Sequence, residues 1–357
     1  MGYIAYFSRP FMLAVALWPF ISAVLTVPVL ALLYHRYNRI RFAQALVAYG
    51  TVLYAIGLLC FTLYPMPADP AAYCAAHHLT PQLNPLQFIG DIRADGLSAI
   101  MQLALNVLFF LPLGFIMGRV FRWPIAVALP FGFATSLMIE TLQLTGFLGL
   151  YPCSYRLFDV DDLITNTLGA ALGYIAAKLF DRLVPPRTHN LTTVTQPGFL
   201  RRCITYVIDL TVVTVVAMPA AMLITIVYDM TVVRDIATWQ AIPAVGHMFG
   251  NDVTIYDVMM LISLLIFELL VPLLRGGQTL GGGFTHMTCE TRPRSGWRRA
   301  LFYALRTAVF MIVVFAQLIP GAGIFTFALL IFYWVKKQMP YDLLPAEPFV
   351  TGTPTRP

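Results

Sequence analysis

The segment YPCSYRLFDVDDLITNTLGAALGY, residues 151–174, decides how the first half of this chain folds. It passes from a polar entrance into an otherwise apolar helix. The polar residues at this entrance are Arg156, Asp159, Asp161, Asp162 and Asn166. Carrying an unpaired carboxylate toward hydrocarbon costs about 2.5–3.5 kcal/mol per residue even on lenient insertion scales. We therefore treat these residues as a candidate functional site.

The composition indicates that most of the chain lies in the membrane. Hydrophobic residues make up 59% of the 357 residues and charged residues only 11%, and the mean hydropathy is +0.76. A soluble globular protein has roughly 25% charged residues. The composition predicts a polytopic membrane protein, in which the net charge of +6 reflects topology and not a nucleic-acid partner.

Long apolar runs predict the membrane spans, because about 20 apolar residues cross the roughly 30 Å hydrocarbon core as a helix. The predicted spans are about 11–34, 44–64, 100–118, 125–147, 161–181, 203–228, 256–274 and 300–319, with a short ninth run at about 321–335. We expect the first run to be retained and not cleaved as a signal peptide. The predicted fold is an all-α, polytopic transmembrane helix bundle of about 8–9 spans in two consecutive bundles.

The distribution of basic residues predicts the orientation of these spans. With the N-terminus outside, eighteen Lys or Arg residues fall on the inner side and four on the outer side. The positive-inside rule favours this orientation, with a cytoplasmic C-terminus if the ninth run crosses. Cys74 and Cys153 then both lie in outer loops, where they either form a disulfide or remain two small loop residues.

Polar residues of three predicted helices lie at a similar depth near the outer end. Asn106 is on the third span, Glu140 and Gln143 share a face of the fourth, and Asp162 and Asn166 share a face of the fifth. Glu140 is expected to point into the bundle, either protonated, paired with Arg156 or within a cation site. The convergence predicts a polar cavity that opens outward. Two alternatives stay open: aspartates that only cap a helix, and a purely structural hydrogen-bond network.

A series of motifs in the first half resembles one known family. The motifs are, in order, Thr62-Leu63-Tyr64-Pro65, Leu83–Phe88, Asn106–Phe115, Ser136–Leu144 and the entrance segment already described. Together, over residues 51–175, this succession resembles the VanZ-like family. The resemblance implies a bacterial cytoplasmic-membrane protein connected with resistance to glycopeptide antibiotics of the teicoplanin type.

The site residues are assigned to roles on this basis. The predicted ligand-binding residues are Asn84, Asn106, Glu140, Gln143, Arg156, Asp159, Asp161, Asp162 and Asn166. Arg156 is expected to contact an anionic head group, and the carboxylates a cation or basic groups. The expected partner is a membrane lipid or lipid-linked wall precursor, with a glycopeptide antibiotic as a further candidate.

Two other functions remain possible on the same residues. A membrane enzyme acting on a lipid-linked cell-envelope substrate would use Glu140, Asp159 or Asp162 as catalytic or metal-binding groups. No cofactor is evident, and a divalent cation is compatible with these carboxylates. An ion-coupled transporter is the third hypothesis.

The second half of the chain carries a different set of motifs. They are Pro197–Asp209, Glu268, Gly277–Gly281 and Arg306, and over residues 197–337 they resemble the RDD family. Its charged residues Arg202, Asp209, Glu268 and Arg306 are expected to pair completely as an inner charge network. The predicted domains are 1–190, VanZ-like with about five spans, 191–340, RDD-like with three or four, and a disordered tail at 341–357.

Overall fold

The computed structural model describes residues 3–186, 191–233 and 244–346. The chain forms two compact units, one of Met1–Leu25 with Ala43–Thr188 and the other of Thr26–Phe42 with His189–Pro357. The division after residue 188 lies close to the predicted boundary, but residues 26–42 belong to the second unit. The reason is that His35 stacks on Phe284 and Asn38 accepts a hydrogen bond from Arg201 at 2.8 Å.

Seven helices in the described part of the chain are long and apolar enough to cross a membrane. They are Ser8–Tyr37, Phe42–Leu63, Leu97–Phe121, Ile125–Leu144, Val160–Leu183, Phe199–Thr231 and Ile255–Leu274. The fold is therefore an all-α polytopic membrane bundle, as predicted. Arg234, one of the four basic residues counted on the outer side, and residues 187–190 at the predicted domain boundary lie outside the described residues.

The last two of the predicted runs also form helices, but they are not among these seven candidate spans. The helix Gly296–Val314 carries Arg298, Arg299 and Arg306, which leave it too charged for a simple span. The ninth run forms the helix Ala322–Lys336, whose 15 residues reach only about 22 Å. That length is shorter than the hydrocarbon core.

The first unit contains the candidate site and consists mainly of helices. They are the first part of α1 (Tyr3–Tyr37), α2 (Phe42–Leu63), α3 (Pro70–Ala76), α4 (Gln87–Asp95), α5 (Leu97–Phe115), α6 (Ile125–Leu144), α7 (Gly146–Gly149) and α8 (Val160–Leu183). A π-helical segment, Ile116–Phe121, continues α5. Leu58 of α2, Phe110 of α5 and Ile139 of α6 form a buried cluster that joins three of these helices.

Helices α5 and α8 pack with their backbones almost in contact. A Cβ atom added to Gly173 would overlap the carbonyl oxygen of Leu111, and one added to Gly114 would overlap that of Ala170. Glycine at these positions is therefore required by space. Small residues at a helix–helix interface allow such a close approach of the two backbones.

The second unit continues from the end of α1. Its elements are α9 (Phe199–Tyr228), the antiparallel strands β1 (Ala244–Met248) and β2 (Asn251–Thr254), α10 (Ile255–Leu264), α11 (Val271–Leu274), α12 (Leu280–Phe284), α13 (Gly296–Val314) and α14 (Ala322–Lys336). π-Helical segments extend α9 through Asp229–Val233 and join α10 to α11 through Leu265–Leu270. Val213, Ala217 and Leu264 lie in one of its buried clusters.

The predicted disordered tail is wrong for its first residues. Pro340–Leu343 forms a 3₁₀ turn that buries Tyr341 and Asp342. Arg202 pairs with the Asp342 carboxylate at 3.0 Å, and Arg294 donates to the Asp342 carbonyl at 3.1 Å. These contacts hold the turn against the helices. Residues 347–357 lie outside the described part of the chain.

Candidate functional site

The start of α8 is held by its own cap and by a loop from earlier in the chain. The Asp159 carboxylate accepts a hydrogen bond from the backbone N–H of Asp161 at 2.8 Å, as an N-cap residue does. Gln82 donates its backbone N–H to Phe158 at 2.8 Å and its side-chain amide to Asp159 at 3.2 Å. The polar entrance read from the sequence is therefore a capped helix start tied to the loop before α4.

Glu140 supports this entrance from the neighbouring helix α6. Its side chain is 2% exposed, and Oε2 accepts a hydrogen bond from the backbone N–H of Asp159 at 3.1 Å. Glu140 does not line the cavity described below. Its contact with the backbone of the capping residue makes Glu140 a positioning residue for the start of α8. The ligand-binding and catalytic roles of Glu140 stay predictions.

Asp161 connects α8 to α4 and retains an unused oxygen. It is 4% exposed, and Oδ2 accepts a hydrogen bond from the backbone N–H of Phe88 at 2.8 Å. Oδ1 is buried without a hydrogen-bond partner among the described residues. A buried acceptor without a partner is costly, and more so when it carries charge, so Oδ1 marks a place for a donor.

Asp162 binds a side chain of α5 within the bundle. Its Oδ1 accepts a hydrogen bond from the Asn106 amide at 2.6 Å, and the same amide lies 3.5 Å from the Thr165 hydroxyl. The predicted approach of Asn106 and Asp162 is therefore present. Asn106 orients the carboxylate and does not itself line the cavity.

Three other predicted ligand-binding amides bond to the protein itself. Asn166 donates to the Ser136 hydroxyl at 2.9 Å, and Gln143 donates to the carbonyl of Thr62 at 2.8 Å. Asn84 lies in an exposed turn, where Oδ1 accepts from the backbone N–H of Leu86 at 3.3 Å. Their positions favour the alternative of a structural network for these amides, because each has its partner within the chain.

Arg156 also lies beside the cavity without lining it. It is half-buried and within electrostatic reach of both Glu140 and Asp162. The Ser154 hydroxyl donates to its backbone carbonyl at 2.7 Å. The positive charge of Arg156 therefore offsets part of the negative charge of these two acids. Its contact with an anionic head group stays a prediction.

The residues of α4, α5 and α8 enclose a cavity of about 110 Å³. Five aspartates line it: Asp91, Asp95, Asp159, Asp161 and Asp162. Phe88, Ser98, Ala99, Gln102 and Leu103 form the rest of the wall. Three of the predicted site residues therefore come together in one acidic cavity.

Asp91 and Asp95 are the functional candidates that sequence reasoning missed. They lie four residues apart on α4, where like charges share a face and repel each other. Their spacing on one helix face, in a segment outside the predicted spans, is the sequence feature that could have identified them. Asp91 also accepts a hydrogen bond from Gln87 at 3.2 Å.

The cavity affects the titration of Asp159, which lies just outside the span formed by α8. Burial raises the pKa of the Asp159 carboxyl above its ordinary value, while the hydrogen bond from the Asp161 N–H lowers it. The negative charges of Asp161 and Asp91 raise the pKa further. The net direction is upward, as expected for clustered and partly desolvated carboxylates.

The predicted metal set is not assembled. Within residues 3–186, 191–233 and 244–346, no group of three His, Cys, Asp or Glu side chains has an arrangement that could hold a metal ion. Glu140 is turned to the Asp159 N–H, while Asp162 is turned to Asn106. Both of these candidate metal-binding residues therefore have a hydrogen-bond partner within the chain.

A disulfide joins the loops at the same end of the first unit. Cys74 and Cys153 are bonded, with their Cα atoms 5.8 Å apart and a sequence separation of 79. Tyr73, next to Cys74, donates its hydroxyl to the carbonyl of Tyr155 at 3.2 Å. The disulfide and this hydrogen bond thus tie the loop that precedes α8 to α3.

The predicted inner charge network of the second unit forms differently. Glu268 pairs with Arg306, but Arg202 pairs with Asp342 at 3.0 Å. Asp209 accepts hydrogen bonds from the Thr279 hydroxyl and the Gly281 N–H, both at 2.6 Å. The complete pairing of the four residues is therefore wrong, because polar groups of other segments compete for Arg202 and Asp209.

Comparisons with known proteins bear on the first unit alone. No curated protein matches the chain, and no solved structure matches it. Residues 51–181, which hold the cavity, its supporting residues and the disulfide, match the family model described as VanZ/LLP1, so this segment is VanZ-like.

Proposed function

We propose that this VanZ-like membrane protein lowers susceptibility to glycopeptide antibiotics of the teicoplanin type, by holding the cationic group of a lipid-like or lipid-linked ligand at the outer leaflet. The observation that carries the proposal is the unpartnered Oδ1 of Asp161, which is buried in a cavity lined by five aspartates. The ligand is an amphiphile with an ammonium group, either the antibiotic or a lipid-linked wall precursor.

The charge of the cavity supports a cationic ligand. No basic residue is among the described residues that line it. Two unit charges 4 Å apart interact by about 4 kcal/mol at an effective dielectric constant of about 20, so clustered carboxylates repel one another strongly. A cation would relieve this repulsion and donate to Asp161 Oδ1 at the same time.

The size of the cavity supports the binding of a head group alone. Its volume of about 110 Å³ is below the roughly 300–1,000 Å³ of pockets that enclose a drug-sized molecule. Exposed apolar side chains lie on the adjoining helices, among them Ile89, Leu97 and Met101. The apolar part of the ligand would lie along this surface, in the lipid.

The distribution of charge within the first unit supports an outward-facing cavity. The opposite ends of α5 and α8 carry Arg119 and Lys178, and Arg119 pairs there with Asp181. Basic residues favour the cytoplasmic side, and disulfides persist in oxidising compartments. Both rules favour a position outside the cytoplasm for the cavity and for the Cys74–Cys153 bond.

The test is a growth assay of a susceptible bacterial host that expresses the full chain. Asp161→Asn keeps an acceptor for the Phe88 N–H and removes the charge, so the fold is retained. Asp69→Asn is the matched control, because Asp69 caps α3 in the same loop region and does not line the cavity. We expect Asp161→Asn to abolish the protection against teicoplanin and Asp69→Asn to keep it.

The outcomes separate this function from its alternatives. Full protection by Asp161→Asn at normal expression would overturn the proposal. Turnover of a lipid-linked substrate by the purified protein would favour a membrane enzyme instead. Ion flux into liposomes that depends on Asp161 would favour a transporter.

A further inference from the structure

The second unit contains a larger cavity with a different chemistry. It has a volume of about 840 Å³ and lies between the start of α9, the end of α14 and the segment at Thr291 and Arg292. All its lining residues belong to the second unit. Its size falls within the range of pockets that hold a whole small ligand.

Two basic side chains of this cavity have no countercharge. Arg202 lines it but pairs with Asp342 at 3.0 Å. Arg292 and Lys337 also line it, and neither forms an ion pair with another residue in the described ranges. No acidic residue is among the described lining residues, so the cavity carries a net positive charge.

The start of α9 adds hydrogen-bond donors to the same wall. Pro197, Gly198 and Phe199 line the cavity, and Gly198 caps α9 without a side-chain hydrogen bond. The first N–H groups of a helix have no partner within the helix and favour an anion. The donors and the two basic side chains therefore surround one space.

Another part of the wall is apolar and exposed. It includes Leu330, Ile331 and Trp334 of α14, and Trp334 is 75% exposed. Tryptophan near a helix end is typical of the membrane interface. A cavity that is basic on one side and apolar on the other matches an amphiphile with an anionic head.

The neighbouring charges indicate which leaflet the cavity faces. Arg299, at the start of α13, donates to the carbonyl of Leu273 at the end of α11 at 3.1 Å, and Lys336 ends α14. Basic residues therefore gather at the end of the second unit that holds the cavity. By the positive-inside rule this is the cytoplasmic end, where anionic lipids attract basic pockets.

We propose that this cavity binds an anionic glycerophospholipid of the cytoplasmic leaflet. The phosphodiester lies between Arg292, Lys337 and the first turn of α9, and the acyl chains follow Leu330 and Ile331. This inference does not depend on the acidic cavity of the first unit. It assigns the second unit a lipid-binding role.

The test titrates dioctanoyl phosphatidylglycerol into the purified full-length chain in an uncharged detergent and follows binding by calorimetry. Dioctanoyl phosphatidylcholine and inorganic phosphate are titrated in parallel. The test variant is Arg292→Gln with Lys337→Gln. The matched control is Arg39→Gln with Lys336→Gln, which removes the same charge from exposed residues of the second unit outside the cavity.

We expect saturable binding of phosphatidylglycerol that becomes about 20-fold weaker in the test variant and changes less than about threefold in the control. Equal affinity for phosphatidylcholine would overturn the proposal, because the charged head would then be irrelevant. Equal binding of inorganic phosphate would identify a site for a free anion instead of a lipid. An equal loss of phosphatidylglycerol affinity in the two double variants would show that only the general surface charge matters. That result would also overturn the proposal.

Discussion

Glu140 on α6 accepts a hydrogen bond at 3.1 Å from the backbone N–H of Asp159, the residue that caps α8. Asp159 is also part of the wall of the acidic cavity. The buried carboxylate of α6 therefore sets the position of a cavity residue through the backbone and without entering the cavity. This one contact therefore connects the packing of α6 to the cap of α8 and to the wall of the acidic cavity.

Replacement of Glu140 tests this connection through stability. Glu140→Ala leaves the Asp159 N–H without its acceptor, which we expect to cost about 1–3 kcal/mol and to lower the thermal midpoint in detergent. Glu140→Gln keeps an oxygen in place and should lose less than about 1 kcal/mol. Equal destabilisation by the two variants would show that the charge, and not the hydrogen bond, holds the entrance.

The affinity of the cavity for a cation should depend on pH. Because the pKa of Asp159 is raised, this carboxyl takes up a proton at a higher pH than a free aspartate. The proton competes with the cation, so affinity should fall as pH decreases through the neutral and acidic range, from a higher pH than for a free aspartate. An alkylammonium probe stays charged over this range, since amines titrate near pH about 10.

Asp159→Asn is the control for this pH dependence. Asparagine is also a good N-cap residue, so the start of α8 should remain intact. The variant should bind the probe more weakly at about pH 7.5 and show a flatter pH profile. Tighter binding of the probe at low pH in the unmodified chain would contradict this account.

Loss of the Cys74–Cys153 disulfide should destabilise the loops that flank the cavity. Closing a loop of this length restricts the unfolded chain, and removal of such a bond typically costs about 2–4 kcal/mol. Because either substitution breaks the same bond, Cys74→Ser, Cys153→Ser and the double variant should have equal thermal midpoints. Additive losses in the double variant would indicate that the two cysteines act separately.

The contact between α5 and α8 should not tolerate a single methyl group. Gly173→Ala would place a Cβ against the Leu111 carbonyl, so the helices would have to separate. We expect a loss of about 1–3 kcal/mol or failure to accumulate in the membrane. Gly57→Ala in α2 has open space around it and should be neutral or slightly stabilising. Similar behaviour of the two variants would contradict the packing described here.

Much of the first unit could be predicted from local sequence. Apolar runs of membrane length identify α2, α5, α6 and α8, and acids directly before such a run mark a capped helix start. The positions of Asn106 and Asp162 along their helices predicted a similar depth in the membrane for the two residues. Their side chains are hydrogen-bonded at 2.6 Å. These features depend on spacing within one helix or on the common thickness of the membrane.

The remaining features depend on contacts that spacing does not encode. Asp91 and Asp95 reach the site because the Phe88 N–H on the same short helix bonds to Asp161 at 2.8 Å. Gln143 was expected to face a ligand, but its side-chain amide donates a hydrogen bond to the Thr62 carbonyl at the end of α2. Similarly, the Arg202 partner Asp342 lies in a polar segment that resembled a disordered tail.

Binding of dodecylammonium to the purified full-length chain in uncharged nanodiscs tests the acidic cavity most directly, with neutral dodecanol and Ca²⁺ as comparisons. The account predicts one saturable site for dodecylammonium that is weakened at least about tenfold by Asp161→Asn, corresponding to about 1.4 kcal/mol, and is unaffected by Asp69→Asn. Equal binding of dodecanol, or saturable binding of Ca²⁺ without dodecylammonium binding, would contradict it.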